Sequence, residues 1–163
     1  MVFSKKFMKS MHSRLSQHLH LVTEQYGLRK GMATEDAAFR LTDGVYRSIN
    51  HEMHDGGIFC DLAKAFNCVI KEILLAKLHL CWIWAVCLDW FRSYLTNIRQ
   101  KVEVKSPSSA QNVFCDWSTL KDGNPQESIL GMLLFIIHIN DLSLRIHSVS
   151  KPILFADDSF WYD

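Results

Sequence analysis

Ile153-Leu154-Phe155-Ala156-Asp157-Asp158 is an apolar run that stops on two carboxylates, and nearly a hundred residues earlier Ile58-Phe59-Cys60-Asp61 ends in the same way. Short apolar runs bounded by polar residues read as strands. If the two strands lie side by side, Asp61 and Asp157 point at one spot. Carboxylates that close repel each other unless a divalent cation sits between them. Mg²⁺ favours a few carboxylates completed by substrate phosphates, the arrangement of two-metal phosphoryl transfer. The plain alternative is that Asp157-Asp158 opens a turn and Asp61 caps the next helix, both common roles for Asp.

Outward from these two runs, the spacing of apolar residues alternates between helix and strand. Phe7, Met8, Met11, Leu15, Leu19 and Val22 recur every three to four residues among Lys, Arg and His, which predicts a basic amphipathic helix within residues 1–24. Gly27 and Gly31 bracket a turn, and Thr34-Glu35-Asp36 offers an N-cap for a helix over Glu35–Ile49. After the first acid-terminated run, helical spacing returns at Ile70, Ile73, Leu74, Leu75 and Leu78, then at Trp90, Phe91, Tyr94 and Leu95. Gln100–Val104 and Val113–Cys115 read as strands joined by a Ser/Pro loop at 106–109. Asp122-Gly123-Asn124-Pro125 is a turn, and Ser128–Leu142 is a buried helix. Such alternation predicts an α/β or α+β layer.

The composition sets outer limits. With 163 residues and 48% hydrophobic content, the chain can bury roughly 68–70% of its unfolded surface without disulfides or a metal staple. Lys+Arg 18 against Asp+Glu 17 leaves a net charge of +1, so there is no overall basic excess of the kind that announces a nucleic-acid binder. The five cysteines form no C-x-x-C pair and no zinc spacing with the eight histidines, and read as buried free thiols in a reducing compartment. No run is long enough to span a membrane, and Ser10, His12, Arg14 and Gln17 interrupt the segment that a signal peptide would need to be apolar. The expectation is an intracellular protein, cytoplasmic or nuclear, that is not secreted and has no membrane partner.

Taken together, four blocks resemble the reverse transcriptase domain of non-LTR (jockey-like) retrotransposons. Phe59-Cys60-Asp61-Leu62-Ala63-Lys64-Ala65-Phe66-Asn67-Cys68-Val69 is similar to the first catalytic motif. Asn124-Pro125-Gln126-Glu127-Ser128-Ile129-Leu130-Gly131-Met132, with Ile139-Asn140-Asp141-Leu142, looks like the second, and Leu154-Phe155-Ala156-Asp157-Asp158 like the third. Tyr26-Gly27-Leu28-Arg29-Lys30-Gly31 through Asp36 is similar to the fingers segment, and Trp90-Phe91-Arg92-Ser93-Tyr94-Leu95 also fits. The blocks stand in family order, which makes the joint signal specific where each alone is weak.

The resemblance implies an α+β fold, a partial right-hand polymerase palm in which helices pack on an antiparallel sheet, with part of the fingers. Residues 1–24 would form the basic helix and residues 25–163 the partial reverse transcriptase domain. It implies an RNA-directed DNA polymerase that uses two Mg²⁺ ions, or Mn²⁺, with an RNA template, a DNA primer and dNTPs. Asp61, Asp157 and Asp158 would be the catalytic and metal-holding acids. Leu62 and its neighbours would offer backbone N–H groups to the triphosphate, Phe66 would crowd the sugar 2′ position, Gln126 would lie against nucleotide and template, and Arg29 and Lys30 would meet the triphosphate.

The chain departs from the family pattern at Asn124, Glu127 and Met132, which stand where valine, glycine and proline are usual, and at Cys81-Trp82-Ile83-Trp84-Ala85, which replaces a Gly-containing turn. A glutamate for a glycine brings bulk and charge toward a triphosphate. The thumb that would complete the fold is expected to be missing, since the chain stops five residues after Asp158. The alternative function is therefore a catalytically inactive relic or binding module that retains the palm fold.

Overall fold

The computed structural model describes residues 2–27, 29–54, 56–96, 98–104, 113–120, 122–124, 128–147 and 150–162. Two long helices open the chain, α1 (Val2–His18) and α2 (Thr34–Asn50). Strand β1 (Gly57–Asp61) follows, then a 3-10 turn (Ala65–Cys68) and helices α3 (Lys71–Leu80) and α4 (Ala85–Thr96). A ribbon of two-residue strands comes next: β2 (Arg99–Gln100), β3 (Glu103–Val104), β4 (Val113–Phe114) and β5 (Ser118–Thr119). Helices α5 (Gly131–Ile139) and α6 (Leu142–Ile146) lead to β6 (Lys151–Phe155) and β7 (Asp158–Tyr162).

The main sheet has the order β1-β7-β6, with both pairings antiparallel. The two acid-terminated strands are thus not neighbours, as a direct pairing of the two runs would require. The return strand of the β6–β7 hairpin lies between them. A two-residue loop sends β7 straight back along β6, and β7 in turn offers its free edge to β1. The ribbon pairs β2 with β5 and β3 with β4, also antiparallel. Gln100–Val104 therefore forms no continuous strand. The predicted loop at 106–109 lies outside the described residues.

Helix α5 shows why the molecule has one principal core. Its sequence GMLLFIIHI is apolar almost all round, and Gly131, Leu133, Leu134, Phe135, Ile136 and Ile137 are all buried. A helix with no polar face has to be central. Leu74 and Leu78 of α3, Phe91 and Leu95 of α4, and Leu15 of α1 pack into the same cluster. On one face of the sheet a smaller cluster joins Ala37 and Leu41 of α2 to Ile153, Phe155, Phe160 and Tyr162. Helix α2 begins one residue before its sequence-predicted start, with the Asp36 carboxylate accepting the Ala33 N–H at 2.7 Å. This is half of a capping box.

Strand β1 is apolar in sequence, yet Ile58 and Phe59 are 58% and 75% exposed. β1 is the sheet edge, and hydrophobicity alone does not distinguish an edge strand from a central one. The cysteines are not buried thiols: Cys68, Cys87 and Cys115 are exposed and Cys60 and Cys81 half-buried, all unbridged. Most of them lie at element ends or on the thin ribbon, where there is little protein to cover them. Among the described residues no helix is long and apolar enough to cross a membrane.

At the C-terminal end of α5, Lys77 donates to the His138 carbonyl oxygen and to Asp141 Oδ1. His138 Nδ1 is buried with no hydrogen-bond partner. Burial pushes the imidazole below its ordinary value of 6.5 and the Lys77 ammonium adds to this, against the Asp141 carboxylate. The folded state thus favours neutral His138, so the unfolded chain binds more protons as pH falls below 6.5 and stability drops through that window. His138→Phe is expected to remove this acid limb and to raise stability by up to ~1 kcal/mol by deleting an unpartnered buried nitrogen. Denaturation midpoints at about pH 7.5 and about pH 5 check it, and an equal acid loss in both proteins would refute it.

Candidate active site

The register of the main sheet puts Asp61 directly opposite Asp158, as the last residue of β1 faces the first of β7. Residues opposed in this way project to the same face and approach closely, and like charges so placed are destabilising. Phe155 is opposite Asp158 in the second pairing, which leaves Ala156-Asp157 as a two-residue hairpin loop. All three acids therefore stand at one end of one sheet, although Asp61 comes from a segment nearly a hundred residues away. Asp61 and Asp158 are exposed and Asp157 is half-buried.

Two features fix the loop. The Leu62 N–H donates to the Asp157 carbonyl oxygen at 3.2 Å, which ties the exit of β1 to the hairpin. Ala156 has φ +56°, a left-handed conformation that costs a non-glycine residue about 1–2 kcal/mol. The two-residue hairpins that match strand twist need a positive φ at this position. Strain of this kind persists only where the surroundings over-determine it, and such places cluster at functional sites.

The surroundings here are residues 24–27, which run parallel to β6 through a bridge between Gln25 and Leu154. The Leu154 N–H donates to the Glu24 carbonyl and the Tyr26 N–H to the Leu154 carbonyl, both at 2.8 Å. Gly27 and Gly31 both stand in turns, as predicted, but only Gly31 uses the left-handed region, with φ +82°; Gly27 does not. Gly27 is instead a close approach, since a Cβ there would lie 2.3 Å from the Ala156 nitrogen and 2.7 Å from the Phe155 carbonyl carbon.

The second motif reaches the first through its opening residues. The Gly123 N–H donates to the Val69 carbonyl at 2.9 Å and the Asn124 N–H to the Phe66 carbonyl at 3.0 Å. Asn124 is buried and donates its side-chain amide to the Gly131 carbonyl at 2.8 Å. Gly123 has φ +88°, and a Cβ there would meet Asn67 Cα at 2.9 Å. Gln126 and Glu127 lie outside the described residues.

The remaining predicted positions are scattered. Phe66 is half-buried and packs its ring 4.7 Å from that of Phe135, against the main core. Leu62 is exposed, and its own N–H is engaged by Asp157, so the backbone donors of this turn begin after it. Lys64 (φ +59°) makes the reversal there, and the Ala65 N–H closes it on the Leu62 carbonyl at 3.0 Å. Arg29 donates to the Val22 carbonyl at 2.9 Å and, with exposed Lys30, lines a cavity of about 600 Å³. His12, Ile129 and Met132 line it as well, and none of the three acids does.

The donor chemistry suits a hard cation, because carboxylate oxygens are what Mg²⁺ takes from proteins. Among the described residues, however, no three His, Cys, Asp or Glu side chains gather into a group that could hold a metal ion by themselves. Sequence reasoning found the acids but missed Gln25 and the contact role of Gly27. A single glutamine carries no periodic or motif signal, and a glycine at a close approach looks the same in sequence as one at a turn.

Residues 1–162 match the protein family described as reverse transcriptase (RNA-dependent DNA polymerase). The chain is 29% identical over 122 residues to the probable RNA-directed DNA polymerase from transposon BS of Drosophila melanogaster, an alignment that covers 75% of this chain and 13% of the fly protein. It is 26% identical over 137 residues to the probable RNA-directed DNA polymerase from transposon X-element of the same fly, over 82% of this chain and 14% of that protein. The chain spans about one seventh of the length of these relatives.

Proposed function

Because the chain belongs to the reverse transcriptase family, we propose that it is the palm, with part of the fingers, of an RNA-directed DNA polymerase of the non-LTR type that extends a DNA primer on an RNA template. The observation that carries this reading is the register that sets Asp61 opposite Asp158 with Asp157 in the adjoining loop. Strand register brings acids from two distant motifs to one end of one sheet, where like charges set opposite one another favour a counter-charge.

Asp61 and Asp157 would hold the divalent ions, with Asp158 as the third acid. Two Mg²⁺ or Mn²⁺ ions bound there would supply activation of the primer 3′-hydroxyl and neutralisation of the departing pyrophosphate. Arg29 and Lys30 attract the triphosphate, as cations do at phosphate sites. The turn after Leu62, with left-handed Lys64, is the backbone reversal from which anion-binding nests are made. Phe66 is held from behind by Phe135, which stiffens it to crowd a ribose 2′-hydroxyl. Gln126, outside the described residues, would lie against nucleotide and template as the resemblance implies.

The second reading is a palm retained without catalysis. Arg29 favours it, because a guanidinium already bonded to the Val22 carbonyl is less free to meet a triphosphate. Primer extension on an RNA template with dNTPs distinguishes the two. Extension that requires Mg²⁺ or Mn²⁺ and stops on chelation supports the polymerase; no extension, together with no metal-dependent rise in melting temperature, supports the inactive palm.

A further inference from the structure

Gln25 is 1% exposed, a polar side chain wholly inside the protein next to the hairpin that carries Asp157. Its Oε1 accepts from the Gly27 N–H at 3.0 Å and from the Ala156 N–H at 3.3 Å. Both donors are backbone N–H groups, so the atom facing them has to be the oxygen, and the amide orientation follows. Its Nε2 is buried with no hydrogen-bond partner. An unpaired buried donor is costly, so an apolar residue of the same shape would spare that cost at this site. What Gln25 contributes is its oxygen.

That oxygen meets the one residue of the hairpin whose backbone is strained. Ala156 is left-handed, and Asp157 follows it directly in the chain. The bond from Ala156 N–H to Gln25, the bridge of Gln25 to Leu154 and the close seating of Gly27 on Ala156 act on the same loop from one side. The Leu62 N–H holds the Asp157 carbonyl from the other. We infer that Gln25 is a positioning residue, whose buried carbonyl oxygen fixes the Ala156-Asp157 loop and thereby the direction of the Asp157 carboxylate.

The consequence for metal holding rests on the polymerase reading above, while the loop-fixing role does not. Outer groups that orient a metal-holding side chain are typically worth 10–100-fold in metal affinity.

The test uses the full chain and three variants. Gln25→Met keeps the shape and removes the acceptor, Gln25→Asn keeps the amide one methylene short, and Gln25→Glu keeps an acceptor of the same reach. Amide hydrogen exchange at Ala156, followed by NMR, is expected to be slow in the parent and in Gln25→Glu and about fivefold or more faster in Gln25→Met and Gln25→Asn. Mn²⁺ titration followed by electron paramagnetic resonance is expected to show about 10–100-fold weaker binding in Gln25→Met. An Ala156 amide that exchanges equally fast in parent and variants overturns the proposal, as does lost protection with unchanged Mn²⁺ affinity. A parent chain that binds no Mn²⁺ refutes the polymerase reading, and the exchange data then decide the role of Gln25 alone. If Gln25→Met does not fold, the comparison of Gln25→Asn with Gln25→Glu carries the test.

Discussion

Under the polymerase function proposed above, Asp157→Asn is expected to reduce primer extension on an RNA template by at least ~10³-fold, the loss of about 4 kcal/mol of transition-state stabilisation. The substitution keeps the size of the side chain and removes only its charge. The backbone contact that seats the loop, from the Leu62 N–H to the residue 157 carbonyl, is untouched. Folding should therefore be preserved, and a thermal melt by circular dichroism is expected to move by less than about 2 °C. It should move upward if at all, because one of three acids at the sheet end has been neutralised. Extension above about a tenth of the parent rate in the variant would show that Asp157 does not hold the ions. An unchanged loss in Asp61→Asn would then point to a site built on β1 alone.

Gly27→Val is expected to destabilise the fold by about 3 kcal/mol or more, a fall in melting temperature of roughly 6–12 °C for a chain of this size. The added Cβ would lie 2.3 Å from the Ala156 nitrogen, and the nearest atoms are all backbone of residues 155 and 156. A flexible side chain could turn aside, but these atoms belong to a hairpin fixed by β7 on one edge and by residues 24–26 on the other. Relief requires the strap to lift off Leu154 and lose two hydrogen bonds of 2.8 Å. Urea denaturation gives the stability directly, and a loss below about 1 kcal/mol would mean that the strap and hairpin are not in contact at Gly27. Because the strap also carries Gln25, the variant is expected to speed amide exchange at Ala156.

The helices were the most legible part of the sequence. α3 and α4 fall close to where the spacing of Leu, Ile and Phe places them, because each turns an apolar stripe toward the main core, while α2, placed by its N-cap residues, packs on the sheet. Helix α5 was legible too, though its predicted extent through Leu142 is divided in the fold between α5 and α6. The ribbon was not, since strands of two residues are too short to show a period. Burial was misread at the cysteines, where it depends on neighbours.

The candidate site divides along the same line. Asp61, Asp157 and Asp158 stand out in sequence because acids that end apolar runs are conspicuous, and the order of the blocks then identifies the family. Local chemistry and one-dimensional spacing suffice for that much. Only the tertiary structure decides that β7 separates the two acid-bearing strands, that Asp61 is opposed by Asp158, and that Gln25 and Gly27 seat the loop between β6 and β7. Those facts arise from contacts between segments more than a hundred residues apart, or from strand register. The sequence encodes both through the packing of the whole chain, and no short stretch of it carries either.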